Sequence, residues 1–402
     1  MKLDHAVGQR IARAREFLGL TQATVAERMK VARTTQVAIE QGQRPVSVTE
    51  LFQYSEILGR PLDYFLGAGV WHDDTGFHAF FRQMSEKLRS AHSGPPRRPG
   101  RPRGATEPPA ERQALTRFET LCRNLLDLER LNALPAGPWP ELPTPKRLTN
   151  HEAEWLAATV RAHLDAGNDS PLCGLRGRLE ETFGLRVFVL RDAGQLTCAT
   201  FPHSRLGGCV LLADDAVPRM RFRLAQALGH LLGRREEALV HASGKTRRTP
   251  LETFAWAFAL ALLLPGRGLR ERFAAVHAEA TEVNEVTLAH LARTFGVGLR
   301  TLGNRLQSLR LLPGATLATL WRKLETINEM PPGPAPTSSR WPSLPERYSF
   351  LALRAARNGL ISKQRLAECL ETTEAEVATR QRAYVDDLDT YGSEDPALAV
   401  ET

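Results

Sequence analysis

Side chains suited to reading DNA cluster at the start of one short helical segment. Arg33 carries a fork of donors that matches the O6 and N7 acceptors of guanine, and Gln36 carries the donor and acceptor that pair with adenine. Each such bidentate contact contributes roughly 1–3 kcal/mol of discrimination. Thr34 and Thr35 stand between them and can bond to either kind of edge. Gln22 falls at the amino end of the preceding segment, where unsatisfied amides and the helix dipole favour a phosphate. Arg44, in the loop that follows, is a second phosphate candidate.

Helices must present these groups, and residues 4–66 read as five short ones. Val7, Ile11, Ala14 and Leu18 share one face of the first, and Thr21 can cap the second. Ala32 to Gln41 forms a third that ends at Gly42. Ser47-Val48-Thr49-Glu50 is a capping box, in which hydroxyl and carboxylate satisfy orphan amides reciprocally, and it opens a fourth helix that is expected to bury Leu51, Phe52 and Leu58. Short helices joined by tight turns make a helix-turn-helix, whose second member lies in the major groove. A small helical bundle used for protein contacts is the plainer alternative.

The residue pattern adds a resemblance. Leu20-Thr21-Gln22 through Ala26-Glu27-Arg28-Met29, then Val31 to Thr35, Ile39-Glu40-Gln41-Gly42 and Pro45, resembles the Cro/C1-type (XRE) DNA-binding domain over about 60 residues. Two positions depart from it. Ala32 stands where a Ser or Thr cap is usual, and Gln36 where an apolar residue packs inward.

At 402 residues the chain is long for one core, and 42% hydrophobic with 24% charged residues is globular composition, neither disordered nor fibrous. Lys plus Arg number 53 against 45 Asp plus Glu, a net +8 that favours an anionic partner. Residues 386–402 hold six carboxylates and no Lys or Arg, so the rest of the chain carries +14. The longest apolar run, Thr253 to Pro265, falls short of the roughly 20 residues that span a bilayer. The first residues lack the apolar core of a signal peptide, so a cytoplasmic protein without membrane contact is expected. Five scattered cysteines without a CxxC pair exclude a disulfide framework and a cysteine-rich zinc module.

Two Pro-rich stretches, Ser93 to Pro109 and Pro331 to Pro345, bury too little to fold and read as linkers. The first contains Arg97, Arg98, Arg101 and Arg103 around Gly100-Arg101-Pro102, the core of an AT-hook that lies in the minor groove of A·T tracts. Pro99 replaces the arginine usual before that glycine, and a generic basic spacer would instead add nonspecific, salt-sensitive affinity.

Residues 150–265 read as mixed α and β: a helix near Glu152 to Leu164, strands at Leu185–Leu190, Leu196–Phe201 and Gly208–Leu212, and then two apolar helices. Through Arg221 to Leu232 and Glu252 to Pro265 the chain resembles the ImmA/IrrE zinc metallopeptidases, over roughly residues 175–310. That family carries His-Glu-x-x-His, two histidines on one helix face that hold Zn²⁺ and a glutamate that takes a proton from the bound water. Here the register is Gln226-Ala227-Leu228-Gly229-His230. The resemblance leaves His230 and, as third ligand, Glu252; Trp256 replaces a small Asp or Asn that supports a ligand. Two ligands bind zinc weakly, and loss of the base costs about 10²–10⁴ in rate. His203, His241 or His290 could in principle stand in for the missing ligand.

The expected architecture is multidomain: an all-α helix-turn-helix domain (1–70), a helical then Pro/Arg-rich linker (71–149), and an α+β zincin-like pseudopeptidase domain (150–265). A helix-turn-helix-like extension (266–312), a Pro-rich linker (313–345), a helical unit (346–385) and an acidic tail (386–402) follow. In the extension, Arg293, Arg300, Arg305 and Arg310 could touch phosphate or form a solvated face. The expected function is a sequence-specific DNA-binding transcriptional regulator with double-stranded DNA as partner, without cofactor, and with a small-molecule effector or protein in the former cleft. A homodimer would let two recognition helices reach half-sites one turn apart. A stress-responsive metallopeptidase that cleaves a repressor, and an antitoxin-like or phage-repression interaction protein, are the alternatives.

Overall fold

The computed structural model describes residues 2–17, 20–58, 62–66, 81, 84, 110–132, 142–203, 206–234, 239–242, 249–279, 284–328, 341–379 and 382. The first domain comprises α1 (Lys2–Phe17), α2 (Gln22–Arg28), α3 (Arg33–Glu40), α4 (Val48–Leu58) and α5 (Leu62–Leu66). Val7, Ile11 and Ala14 of α1 meet Val25, Ile39, Leu51, Tyr54, Leu58 and Phe65 in one core, while Leu18 lies outside the described residues. Ser47 and Glu50 form the capping box read from the sequence. Phe52 is a correction, because it is 53% exposed and Tyr54 is buried instead. Leu51, Tyr54 and Leu58 recur at helical spacing along one face, and Phe52 lies about 100° away from it. Gly8 fixes how α1 meets α3, since a Cβ there would stand 2.1 Å from the carbonyl oxygen of Ile39.

The larger unit is built on four strands, β1 (Arg186–Leu190), β2 (Leu196–His203), β3 (Gly207–Ala213) and β4 (Leu239–Ala242), in the order β1-β3-β2-β4. β1 and β3 run parallel, and β2 is antiparallel to β3 and β4. Side chains alternate between the two faces of a strand, and here both faces are buried. Val187, Val189, Val210 and Leu212 face α9 (Val217–Gly233) and α10 (Pro250–Leu263), with α7 (Asn150–His163) and α8 (Leu175–Thr182) alongside. Phe188, Leu190, Phe201 and Leu211 face the other way, onto α6 (Ala110–Leu131), α15 (Glu346–Arg357) and α16 (Lys363–Cys369). Burial on both sides explains why these strands read as near-continuous apolar runs.

Packing runs across three of the expected segments. The 71–149 segment holds α6, whose Leu115, Phe118, Cys122 and Leu125 pack on the sheet. The 313–345 segment opens with α14 (Gly314–Asn328), which buries Leu317 and Leu320 in the same core as α9 and α10. The carboxyl-terminal helices cover the second sheet face rather than standing apart. Residues 342–344 also close the edge of β1: Val189 donates its N–H to the Ser343 carbonyl at 2.8 Å, and the Arg176 guanidinium donates to the carbonyls of Pro342, Val187 and Leu344. An edge strand covered this way offers fewer unpaired groups to another chain.

α11 (Gly266–Glu279), α12 (Glu285–Thr294) and α13 (Leu299–Ser308) continue this core. Arg305, a candidate phosphate ligand, is buried; its guanidinium donates to the Leu264 carbonyl at 2.9 Å and to both Glu154 oxygens. It joins α13 to α7 and α10 instead. Arg300 lies over the Trp321 ring, and Arg293 and Arg310 are exposed. No helix among the described residues is long and apolar enough to cross a membrane.

Candidate functional site

Three helices hold α3 through one buried polar network. Arg15 of α1 donates to both Glu40 oxygens, at 2.6 and 2.8 Å, and also to the Leu20 carbonyl. Gln22 and Gln36 donate their amides to Glu40 at 2.8 and 2.9 Å, and Tyr54 of α4 donates its hydroxyl to the Gln36 oxygen at 2.6 Å. Burial alone would raise the Glu40 carboxyl; the hydrogen bonds from Arg15, Gln22 and Gln36 outweigh it and hold the group below the usual carboxylate value, so it stays charged.

This network sorts the sequence candidates. Arg33 and Thr34 are exposed on the first turn of α3, and Thr35 is half-buried. Gln36 is fully buried with both ends of its amide engaged, so it is a structural residue rather than a reader of adenine. The polar type points outward in a sequence reading, yet the fold supplies a polar interior there. Gln22 caps nothing with its side chain, which is committed to Glu40. Arg44 pairs with Glu50 at 2.8 Å and keeps 41% of its side chain exposed. Arg97, Arg98, Arg101 and Arg103 lie outside the described residues.

Thr21 caps α2 by accepting from the Thr24 N–H, whereas Ala32 at the amino end of α3 offers no side-chain bond. Ala32→Ser is therefore expected to raise the stability of this domain by about 1 kcal/mol, measured as a higher melting transition of the amino-terminal unit.

The second site lies where α9, α10 and β4 meet. His230 on α9 is 3% exposed, Ala227 is buried one turn earlier, and Gln226 is half-buried. Gly229 keeps the helices close, because a Cβ there would stand 3.0 Å from Cα of Ala255 on α10. Glu252 is the third residue of α10 and closes a capping box with Thr249, accepting from the Thr249 N–H at 2.6 Å. His241, on the strand absent from the sequence reading, places its Nε2 2.7 Å from Nε2 of His230 and its Nδ1 3.7 Å from Glu252. Burial, with the neighbouring His241, pushes His230 well below the usual histidine range, so it is neutral.

These residues do not fit a catalytic zinc. Two nitrogens that share a tetrahedral zinc stand about 3.3 Å apart, given bonds of roughly 2.0–2.1 Å, and the two imidazoles lie closer, at hydrogen-bond separation. Ligating histidines also donate their second ring N–H to a partner, yet Nδ1 of His230 is buried without one among the described residues. Glu252 turns one oxygen to the Thr249 amide and the other toward the far nitrogen of His241. Among the described residues no group of three or more His, Cys, Asp or Glu side chains could hold a metal. Thr249-x-x-Glu252 has capping-box spacing, a signal the reading of Glu252 as a metal ligand did not use, whereas nothing in the spacing of His241 announces its approach to His230.

Comparison with known proteins agrees with this division. Residues 11–65 match the family described as Helix-turn-helix, and residues 180–307 match the IrrE N-terminal-like domain, a span that runs from α8 through most of α13. No curated protein matches the chain. The chain thus joins a helix-turn-helix domain of the XRE type to an IrrE N-terminal-like domain.

Proposed function

We propose that this chain is a sequence-specific transcriptional regulator whose IrrE-like domain has lost zinc-peptidase catalysis and serves as a sensing or interaction domain. The contrast between two helices carries the reading. α3 keeps Arg33 and Thr34 exposed at its first turn, inside a domain of the helix-turn-helix family. α9 buries Leu224, Leu228 and Leu231, while the position that the resemblance assigns to the general base is Ala227, buried and without a titratable group. A methyl group cannot accept the proton of an attacking water, a loss of about 10²–10⁴ in rate before any change in metal affinity is counted.

Sensing then requires a ligand or protein that binds the DNA-competent and incompetent states with different affinity. A homodimer would place two α3 helices on half-sites one turn apart. Arg44 adds a phosphate contact when its pair with Glu50 exchanges.

Selection of bound duplexes by the purified full chain tests the reading, alongside metal analysis of the same preparation. Wild type is expected to select one sequence at physiological salt. Arg33→Ala is expected to relax one position of that sequence and to weaken binding by about 1–3 kcal/mol. A chain without sequence preference overturns the regulator reading. One equivalent of zinc, with peptidase activity that disappears in Glu252→Ala, overturns the loss of catalysis.

A further inference from the structure

We infer that Val37 reads the C5 methyl group of a thymine, and that the preferred duplex carries this thymine within two base pairs of the pair read by Arg33. The inference rests on the reading of α3 as the helix that enters the major groove. Arg33, Thr34 and Val37 share one side of that helix, since Val37 follows them by four and three residues. Arg33 and Thr34 are exposed and Val37 is half-buried, whereas Gln36, Ile39 and Glu40 are buried.

What α3 can offer DNA beyond its first turn is therefore not the amide of Gln36. That amide accepts from Tyr54 and donates to Glu40, and neither end is left for a base. The next outward side chain is Val37, which has no hydrogen-bonding group. It is also not among the apolar residues that build the domain core or pack against it, although Val31, Val46, Ile57 and Leu62 are. An apolar side chain on the outward face of a groove-entering helix has one complementary feature on the major-groove edges of the bases, the thymine methyl. Four residues of α-helix rise about 6 Å, close to two base-pair steps of about 3.4 Å. Arg33 and Val37 thus reach neighbouring or next-but-one pairs.

Deoxyuridine isolates this contact, because it differs from thymidine by that methyl alone. Affinities of the full-length protein are measured for the selected duplex and for duplexes in which each thymidine in turn is replaced by deoxyuridine. One replacement near the Arg33 position is expected to weaken wild type about 4-fold, the transfer of one methyl group out of an apolar contact. Val37→Ala is expected to bind that duplex and its deoxyuridine form equally. Val37→Thr, which keeps one methyl and the volume, is expected to retain part of the discrimination. A selected site whose deoxyuridine forms all bind wild type alike overturns the role of Val37 alone. So does a Val37→Ala protein that keeps the wild-type loss. The absence of any selected site overturns the groove reading and this assignment with it.

Discussion

Glu40→Ala is expected to lower the melting transition of the amino-terminal domain by at least about 15 °C while the rest of the chain melts as in wild type. The substitution removes the acceptor shared by Arg15, Gln22 and Gln36. It leaves a guanidinium buried at 8% exposure without its counter-charge. Breaking a buried ion pair by deleting one partner costs about 3–5 kcal/mol, and a domain of about 60 residues has on the order of 3–9 kcal/mol in total. A loss of that size corresponds to several degrees per kcal/mol in a domain so small. Sequence-specific DNA binding should vanish at the same temperature as the helical signal, because the network holds α3 against α1, α2 and α4. Arg15→Met combined with Glu40→Leu is expected to recover part of the loss, since a well-packed apolar pair can replace a buried ionic one, while the buried Gln36 amide stays without its acceptor. A Glu40→Ala protein that melts with wild type would show that the network adds nothing to stability.

The same group sets the acid response. The folded carboxyl is held below its unfolded value near 4.5, because the hydrogen bonds it receives outweigh its burial. A depressed carboxylate contributes stability that is complete above the unfolded value and is lost as the pH falls through the folded one. The melting temperature of the amino-terminal domain should therefore decline below about pH 4.5, and Glu40→Gln should flatten that part of the slope.

Both modules were legible because short-range spacing carries them. Helical periodicity, the Ser47 to Glu50 capping box and the run from Leu20 to Pro45 lie within a few turns of one another, and the strands announce themselves by apolar runs bounded by Gly and Asp. Long-range pairing was not legible. α6 has apolar positions at helical spacing, but its partners Phe188, Phe201 and Leu211 come some 70 to 90 residues later, so its membership of the sheet domain rests on the fold. α14 carries Leu317, Leu320 and Trp321 in a helical pattern that the neighbouring prolines obscured. Gln36 failed for the opposite reason: its position is one where the resemblance packs an apolar residue inward, but its type suggests a surface, and Glu40 one turn on and Tyr54 18 residues on make an interior amide acceptable. His241 belongs to the same class, a lone histidine whose meaning depends on a four-residue strand.

Arg161→Met is expected to destabilise the larger unit on the order of 3 kcal/mol and to leave the amino-terminal transition and the DNA affinity unchanged. Arg161 is 1% exposed on α7, and its acceptors are backbone carbonyls. It donates to Gly167 at 2.9 Å, to Leu262 at 2.6 Å and to Ser170. Burial lowers its guanidinium to about 10, which still leaves it charged at neutral pH. Those three carbonyls end a turn and a helix, where the chain has no amide of its own to offer them. Met fills much of the volume and relieves the buried charge, but it donates nothing, and each buried carbonyl left unpaired costs about 1–3 kcal/mol. The loop concerned cannot easily shift to compensate, because Gly268 presses on it: a Cβ there would stand 2.0 Å from the carbonyl oxygen of Asp169. The amino-terminal core shares no residue with the two cores of the larger unit. Calorimetry of the full chain should therefore resolve two transitions, with Glu40→Ala moving one and Arg161→Met the other. If Arg161→Met moved both, the two units would be thermodynamically coupled in the absence of any ligand, and a change in the stability of the larger unit alone would reach the amino-terminal domain.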